Sequence, residues 1–213
     1  MFQKIACTII LILSVAFASF TTEASDTIDA FIEEVRTPSY DCPSQSLFPQ
    51  LEKTLLGESL STQQRFALTV AKGQFLICRG KYEEAEKMLL KAIMQSNIDE
   101  SSYAFASAIY QIGFSYDARE NPARCKYYKQ AQDLSSPERH SDIFTSASLG
   151  LISYCSDSSS PEVRLGKMFG VLKRYSNDGS PEELAHIHNS IGLLYGSLEQ
   201  HALAAEQYLK AHE

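Results

Sequence analysis

The sequence predicts an all-α protein made of helical hairpins joined in series. Three observations carry this. Apolar residues recur at helical spacing from about residue 44 to the end, and no stretch keeps the strict alternation of a strand. Helix starts are punctuated by Ser-Pro-Glu at Ser136-Pro137-Glu138, Ser160-Pro161-Glu162 and Ser180-Pro181-Glu182. The Ser caps free N–H groups, the Pro sits where no N–H is needed, and the Glu meets the positive end of the dipole. Connections are short, so consecutive helices are expected to be antiparallel neighbours. The bulk properties agree with a globular chain. Its 213 residues are 44% hydrophobic and 21% charged, which excludes wholesale disorder, and 10 Gly with 7 Pro are too few for low complexity. Nineteen basic against 26 acidic residues, a net charge of −7, speak against a nucleic-acid partner, which requires clustered positive charge.

Taken in order, the first element is an address. Met1 to Lys4 carries one positive charge, Ile5 to Phe20 carries none, and Ala16-Phe17-Ala18 places small residues where a signal peptidase cuts. Residues 1–18 therefore read as a secretory signal peptide, and Cys7 is discarded with it. The uncharged run is shorter than the ~20 residues that span a bilayer. The mature chain, as written, has no membrane span and is expected to be secreted or periplasmic. Cleavage removes Lys4 and no acidic residue, so the mature chain is more acidic still. Residues 19–60 hold N-terminal helices at 26–36 and 44–56. Residues 61–213 hold helices at 61–78, 81–96, 101–119, 122–133, 141–156, 161–175, 181–198 and 201–212. Asn121-Pro122 is a weaker start signal, and Glu183 completes a capping box with Ser180.

Signals for chemistry are few. Cys42, Cys78, Cys125 and Cys155 survive cleavage, an even number in an exported chain, and they allow three disulfide pairings. No C-x-x-C pair marks a zinc ribbon or a thioredoxin-type site. His186 and His188 are two apart on a helix, point to different faces and lack a third ligand, so no metal is expected there. Glu83-Glu84 and Glu182-Glu183 are explained as helix-start residues. No G-x-S-x-G elbow and no G-x-x-x-x-G-K-[ST] loop is present. The expectation is a protein without catalytic residues, metal or cofactor.

Self-comparison finds a repeat. From Gly192, the offsets 3, 12, 16 and 19 reach Tyr195, Ala204, Tyr208 and Ala211; from Gly73 they reach Leu76, Ala85, Leu89 and Ala92. Gly80-Lys81-Tyr82 follows the first helix of the second set. The pattern resembles the tetratricopeptide repeat, in which a small residue of the first helix admits the second and alanines of the second admit the next repeat. Degenerate copies centre on Gly113, with Tyr116, Tyr128 and Ala131, and on Gly150, with Gly166 and Phe169 behind it. The anchor glycines are 40, 37 and 42 apart against ~34 in the family. The extra residues fall in loops such as 155–160 and 176–180. The resemblance covers about residues 61–213 and implies an α-solenoid superhelix of about four antiparallel hairpins. Helix 44–56 would supply a preceding second helix, and 26–36 a cap.

The resemblance implies two further things. In such a stack the start of one repeat's second helix lies near the end of the next repeat's first helix, which pairs Cys42 with Cys78 and Cys125 with Cys155. First helices line the inner, concave groove, which places Gln74, Tyr110, Phe114, Asp117, Tyr154, His186 and Asn189 on a surface for a protein or peptide partner. That groove is rich in aromatics and poor in cations, so it suits an apolar or helical segment rather than a C-terminal carboxylate. The same aromatics would also serve as core beneath the superhelix, and both roles stand at this point. The last repeat ends at Ala211 without a polar capping helix, which implies either a covering partner, an end-to-end homodimer or a longer chain. An export signal, divergent repeats and an acidic body are also similar to the periplasmic sensory regions of bacterial diguanylate cyclases, which makes a sensory input region the alternative to a binding scaffold. The sequence carries no G-G-[DE]-E-F motif of the cyclase itself.

Overall fold

The computed structural model describes residues 26–212 apart from Tyr40, Glu58, Ser96, residues 156–158 and Asp178. The expected signal peptide at 1–18 and the middle of the 155–160 loop lie outside the described residues. The described chain is all-helical. Residues 26–35 form α1. A short 3-10 turn, Gln45–Leu47, leads into α2 (Phe48–Leu55), where an ordinary helix from 44 was expected; Pro49 in the first turn lacks the N–H to extend it backwards. Then follow α3 (Thr62–Cys78), α4 (Tyr82–Gln95), α5 (Tyr103–Asp117), α6 (Arg124–Asp133), α7 (Ser141–Tyr154), α8 (Pro161–Tyr175), α9 (Pro181–Ser197) and α10 (His201–Lys210).

Two of the three Ser-Pro-Glu signals start helices. Ser160 accepts from the Val163 N–H, and Ser180 with Glu183 forms a reciprocal capping box. Ser61 and Gln64 make a second such box at α3. The signal at Ser136 does not start a helix. Ser136 and Arg139 exchange backbone hydrogen bonds in a tight turn, the Arg139 side chain donates to the Leu134 carbonyl, and α7 begins only after His140, which is left-handed at φ 62°. A turn that spends Ser136 on Arg139 leaves it nothing to cap.

Three hairpin turns share one geometry. Gly80, Glu120 and Glu199 have φ of 71°, 54° and 58°. After each, the next N–H returns to a carbonyl five residues back: Lys81 to Leu76, Asn121 to Tyr116, Gln200 to Tyr195. This is a Schellman closure, satisfying carbonyls a helix end leaves open. The sequence placed breaks between helices at all three, but only the first carries a turn residue, because Glu stands where Gly is expected in the other two.

Packing follows chain order. Each of α2 to α10 packs on its neighbour in sequence, and α3 also packs on α5, α5 on α7, and α7 on α9. The core is accordingly divided into clusters along the chain. Phe31 and Val35 of α1 meet Leu51, Leu68 and Phe75. A central cluster runs from Phe66 through Phe105, Ile112 and Tyr128 to Ile143, and a third joins Leu149, Met168, Ile187 and Ile191. Glycines set the closest approaches. A Cβ at Gly73 would meet Gln111 Oε1 of α5 at 2.5 Å and Leu89 at 3.1 Å, and one at Gly192 would meet Tyr208 at 2.6 Å; Leu89 and Tyr208 stand at the same offset in their hairpins. The middle copies differ. Tyr128 fills the space at both Gly113 and Gly150, with built Cβ distances of 3.0 and 2.6 Å, while Gly166 faces open space and Phe169 is exposed. The α8 residues that pack inward are the fully buried Met168 and the buried Tyr175.

Two disulfides close the fold, Cys42–Cys78 (S–S 2.06 Å) and Cys125–Cys155 (2.11 Å). The first anchors Cys42, at the end of a segment that leaves α1, turns between Pro38 and Asp41, and bonds to α3 and α7. Gln74 Nε2 of α3 donates to the Asp41 carbonyl (2.6 Å), and Tyr103 OH of α5 donates to Asp142 Oδ2 (2.8 Å). Asp142 of α7 also takes the Ser39 N–H (2.9 Å), and Ser39 Oγ lies 2.8 Å from Ser146 Oγ. Helix 26–36 therefore does more than cap one end: Ser39, just beyond it, reaches Asp142 and Ser146, more than 100 positions away. No helix among the described residues is long and apolar enough to cross a membrane.

Candidate functional site

A cleft of about 610 Å³ opens between α5, α7 and α9, with α6 and α8 contributing single residues. Six of the seven residues selected from the sequence line it: Tyr110, Phe114, Asp117, Tyr154, His186 and Asn189. They converge because α5, α7 and α9 pack in succession and each presents one stripe to the cleft. Gln74 does not join them. It is buried on α3, holds the Asp41 carbonyl, and lines a different cavity, so the segment 37–41 already occupies the surface where a partner was expected.

One wall is aromatic. The Tyr110 ring lies 5.8 Å from Tyr128 and 6.3 Å from Phe114. Tyr110 is only 6% exposed and belongs to the central cluster, so it is a core residue that also forms the cleft wall. Burial pushes the Tyr110 and Tyr128 hydroxyls above their ordinary range, and both stay protonated donors. Tyr128 donates to Asp117 Oδ2 (3.0 Å), and Arg124 Nη1 donates to Asp117 Oδ1 (3.1 Å). Burial raises the Asp117 carboxyl, opposed by the Tyr128 hydrogen bond and the Arg124 charge. The Arg124 guanidinium also sits 5.1 Å from the centre of the Tyr154 ring. The Cys125–Cys155 bond adjoins this group and ties the start of α6 to the end of α7, so it holds Arg124 and Tyr154 in register.

The opposite wall is polar at its base and apolar at its rim. His186 Nε2 lies 3.2 Å from Ser146 Oγ, and burial pushes the imidazole down to about 4, so it is neutral at physiological pH. Asn189 is exposed beside it, and Leu193 (57% exposed) and Tyr154 (45%) project at the rim. Arg164 donates to the Ser153 carbonyl (3.0 Å), while its buried Nε has no partner. Ser146 and Arg164 escaped the sequence reading, and Tyr128 entered it only as a repeat residue. Ser146 carries no motif, and the other two come from second helices of hairpins, which the repeat pattern assigns to packing.

Ser146 and His186 stand at the distance of a nucleophile and its base, but the geometry is not that of one. Ser146 is 3% exposed and already engaged by Ser39. It lies in the middle of α7, where neighbouring backbone N–H groups are spent on the helix, so no oxyanion donors face it. Among the described residues no group of three His, Cys, Asp or Glu is placed to hold a metal ion. What the cleft offers is a contact surface: aromatic faces, fixed hydroxyl and amide groups, and two exposed apolar side chains.

No protein-family model matches the chain, and no curated protein matches it. Among solved structures it is similar to BtubC (BKLC) from P. vanneervenii, with a TM-score of 0.54 and 14% identity over 79% of this chain and 70% of that one. At this identity the likeness concerns the arrangement of helices alone.

Proposed function

We propose that the chain is an exported, non-catalytic scaffold of tetratricopeptide-like hairpins, an α-solenoid, whose α5–α7–α9 cleft binds a peptide segment of a protein partner. The observation that carries this is the convergence of Tyr110, Phe114, Asp117, Tyr154, His186 and Asn189 on one cleft. Repeated hairpin turns at Gly80, Glu120 and Glu199, packing between α3, α5, α7 and α9, and the matched Gly73–Leu89 and Gly192–Tyr208 approaches support the repeat reading. Two disulfides fit an oxidising compartment, which supports export to the periplasm or the cell exterior. The rim pair Tyr154 and Leu193 would anchor apolar or aromatic side chains, while Asn189 and Arg164 would meet main-chain carbonyls.

The test selects binding peptides from a displayed random library against the disulfide-bonded mature chain. Leu193→Asp should weaken the selected peptides by about tenfold or more, the scale of a central apolar anchor. Leu56→Asp, at a residue 84% exposed and remote from the cleft, should leave them unchanged. Peptides that bind both variants equally would place the interaction elsewhere and overturn the proposal.

A further inference from the structure

Helix α8 turns one full side to solvent. Its inward side is Leu165, Met168, Val171, Leu172 and Tyr175, which join the third core cluster. The opposite side carries Val163, Gly166 and Gly170 at helical spacing, and all three are exposed, Val163 at 49%. Lys167 and Lys173, also exposed, flank this line. Phe169 borders it at 38% exposure, where its ring meets Tyr195 edge-on at 6.4 Å. The open face has an identifiable origin. In the first and last hairpins the residue 16 positions after the anchor glycine, Leu89 or Tyr208, packs against that glycine. In the α7–α8 hairpin that residue is Gly166, and Tyr128 of α6 fills the space at Gly150 instead.

The charge of this helix stands apart from that of the chain. It holds four basic residues against one acidic, in a protein whose net charge is −7. Arg164 donates to the Ser153 carbonyl, and Arg174 lies 5.7 Å over the Phe144 ring. Among the described residues Lys167 and Lys173 make no ion pair, whereas Lys72, Lys81, Lys87, Lys129 and Lys210 are each paired with a carboxylate. Lys173 suits the negative end of the helix dipole, but Lys167, in the middle of α8, has no such reason. The glycines lack one too. Cβ atoms built at Gly166 and Gly170 meet nothing, and after proline glycine is the poorest helix former.

We propose that the outward face of α8 docks an acidic helical segment of a protein partner. A ridge of small or apolar side chains on that segment lies against Val163, Gly166 and Gly170, and its carboxylates stand opposite Lys167 and Lys173. The separation of two packed helices is set by the side chains between them, and two glycines one turn apart remove those of α8. Charge selects the partner: an exposed basic face on an acidic protein attracts carboxylates and repels a second α8. A lipid surface demands a broad apolar face to insert, and this one offers Val163 and the edge of Phe169. The face is separate from the α5–α7–α9 cleft, to which α8 contributes Arg164.

The experiment presents a displayed library of single-helix peptides, randomised at their surface positions, to the disulfide-bonded mature chain, with Lys167→Glu/Lys173→Glu as the counter-selection. Selected peptides should carry Glu or Asp beside a stripe of Ala and Leu and bind the unaltered chain saturably in fluorescence anisotropy. They should weaken by about tenfold or more against Lys167→Glu/Lys173→Glu, and equally against Gly166→Gln, whose side chain fills the channel. Leu193→Asp, in the cleft, should leave them unchanged. The substituted α8 positions face solvent, so all variants should keep the far-ultraviolet circular dichroism of the unaltered chain. No enrichment over the counter-selection, selected peptides without acidic residues, or undiminished binding by Gly166→Gln would overturn the proposal. So would a dimer in sedimentation that Lys167→Glu/Lys173→Glu dissociates, which assigns the face to a second copy. Flotation with phosphatidylglycerol vesicles, lost in the same variant, would overturn it in favour of a lipid surface.

Discussion

Tyr128 shows how much one side chain decides in this protein. Its ring fills the space at Gly113 of its own hairpin and at Gly150 of the next, and its hydroxyl holds Asp117 at the edge of the cleft. A methyl group at Gly150 would come within 2.6 Å of that ring. Gly150→Ala is therefore expected to cost about 1–3 kcal/mol, as overpacking does. Gly166→Ala, with nothing near its Cβ in the middle of α8, should instead stabilise by about 0.5–1 kcal/mol through helix propensity. Urea denaturation of both variants checks the opposite signs. His186 supplies the pH dependence at this scale. Its folded value of about 4 lies below the 6.5 of a free imidazole, so between those values the unfolded chain binds more protons. The contribution of His186 is fully present above about pH 6.5 and is lost as pH falls toward 4, at up to about 1.4 kcal/mol per pH unit. Histidine resonances followed by NMR, together with urea midpoints from pH 4 to 8, test this. In His186→Gln the slope over that window should flatten; an unchanged slope would show that carboxylates alone set it.

At the scale of elements, each disulfide fastens something other than two helices of one hairpin. Cys125–Cys155 ties α6 to α7 beside Arg124 and Tyr154, and Cys42–Cys78 ties the segment after α1 to the end of α3. The sequence separations of 30 and 36 are similar, so removing either bond should cost a similar amount, about 2–4 kcal/mol in the loop-entropy picture. Their local effects should differ. The Ser39 N–H, held by Asp142 Oδ2, should exchange with solvent roughly tenfold faster in Cys42→Ser/Cys78→Ser, because the segment loses its covalent end. It should be unaffected in Cys125→Ser/Cys155→Ser. Equal exchange in the two variants would mean that Asp142 and Gln74 hold the segment without the bond. The helices themselves were well marked in sequence, because caps and apolar spacing act within about four residues. The exception, Ser136-Pro137-Glu138, fails for a local reason too: Arg139 captures the Ser136 backbone in a turn before a helix can begin.

At the scale of the whole molecule, the segment carrying Thr37, Ser39 and Asp41 separates the α1–α3–α5 cavity from the α5–α7–α9 cleft. On one side this segment bonds to Gln74 and, with α1, roofs the smaller cavity above α3 and α5; on the other it touches Ser146 at the base of the larger cleft. A surface expected to run open from α3 to α9 is thus divided. Gln74 falls on the covered part, and the residues from Tyr110 to Asn189 fall on the open part.

The sequence by itself determined the all-α class and the order of the helices, which depend on residues a few positions apart, where propensity and periodicity act directly. The stripes of α5, α7 and α9 that meet in the cleft came from the resemblance to the repeat, read on glycines about 40 positions apart. Only the tertiary structure decided that Tyr110 is core as well as wall, that Tyr128 serves two glycines, that His186 faces Ser146, and that Ser39 reaches Asp142 across 103 positions of chain. Contacts of that span leave no periodic mark on a sequence. They exist because packed hairpins bring distant side chains within hydrogen-bond reach, and a buried polar group that finds such a partner avoids the cost of being left unpaired.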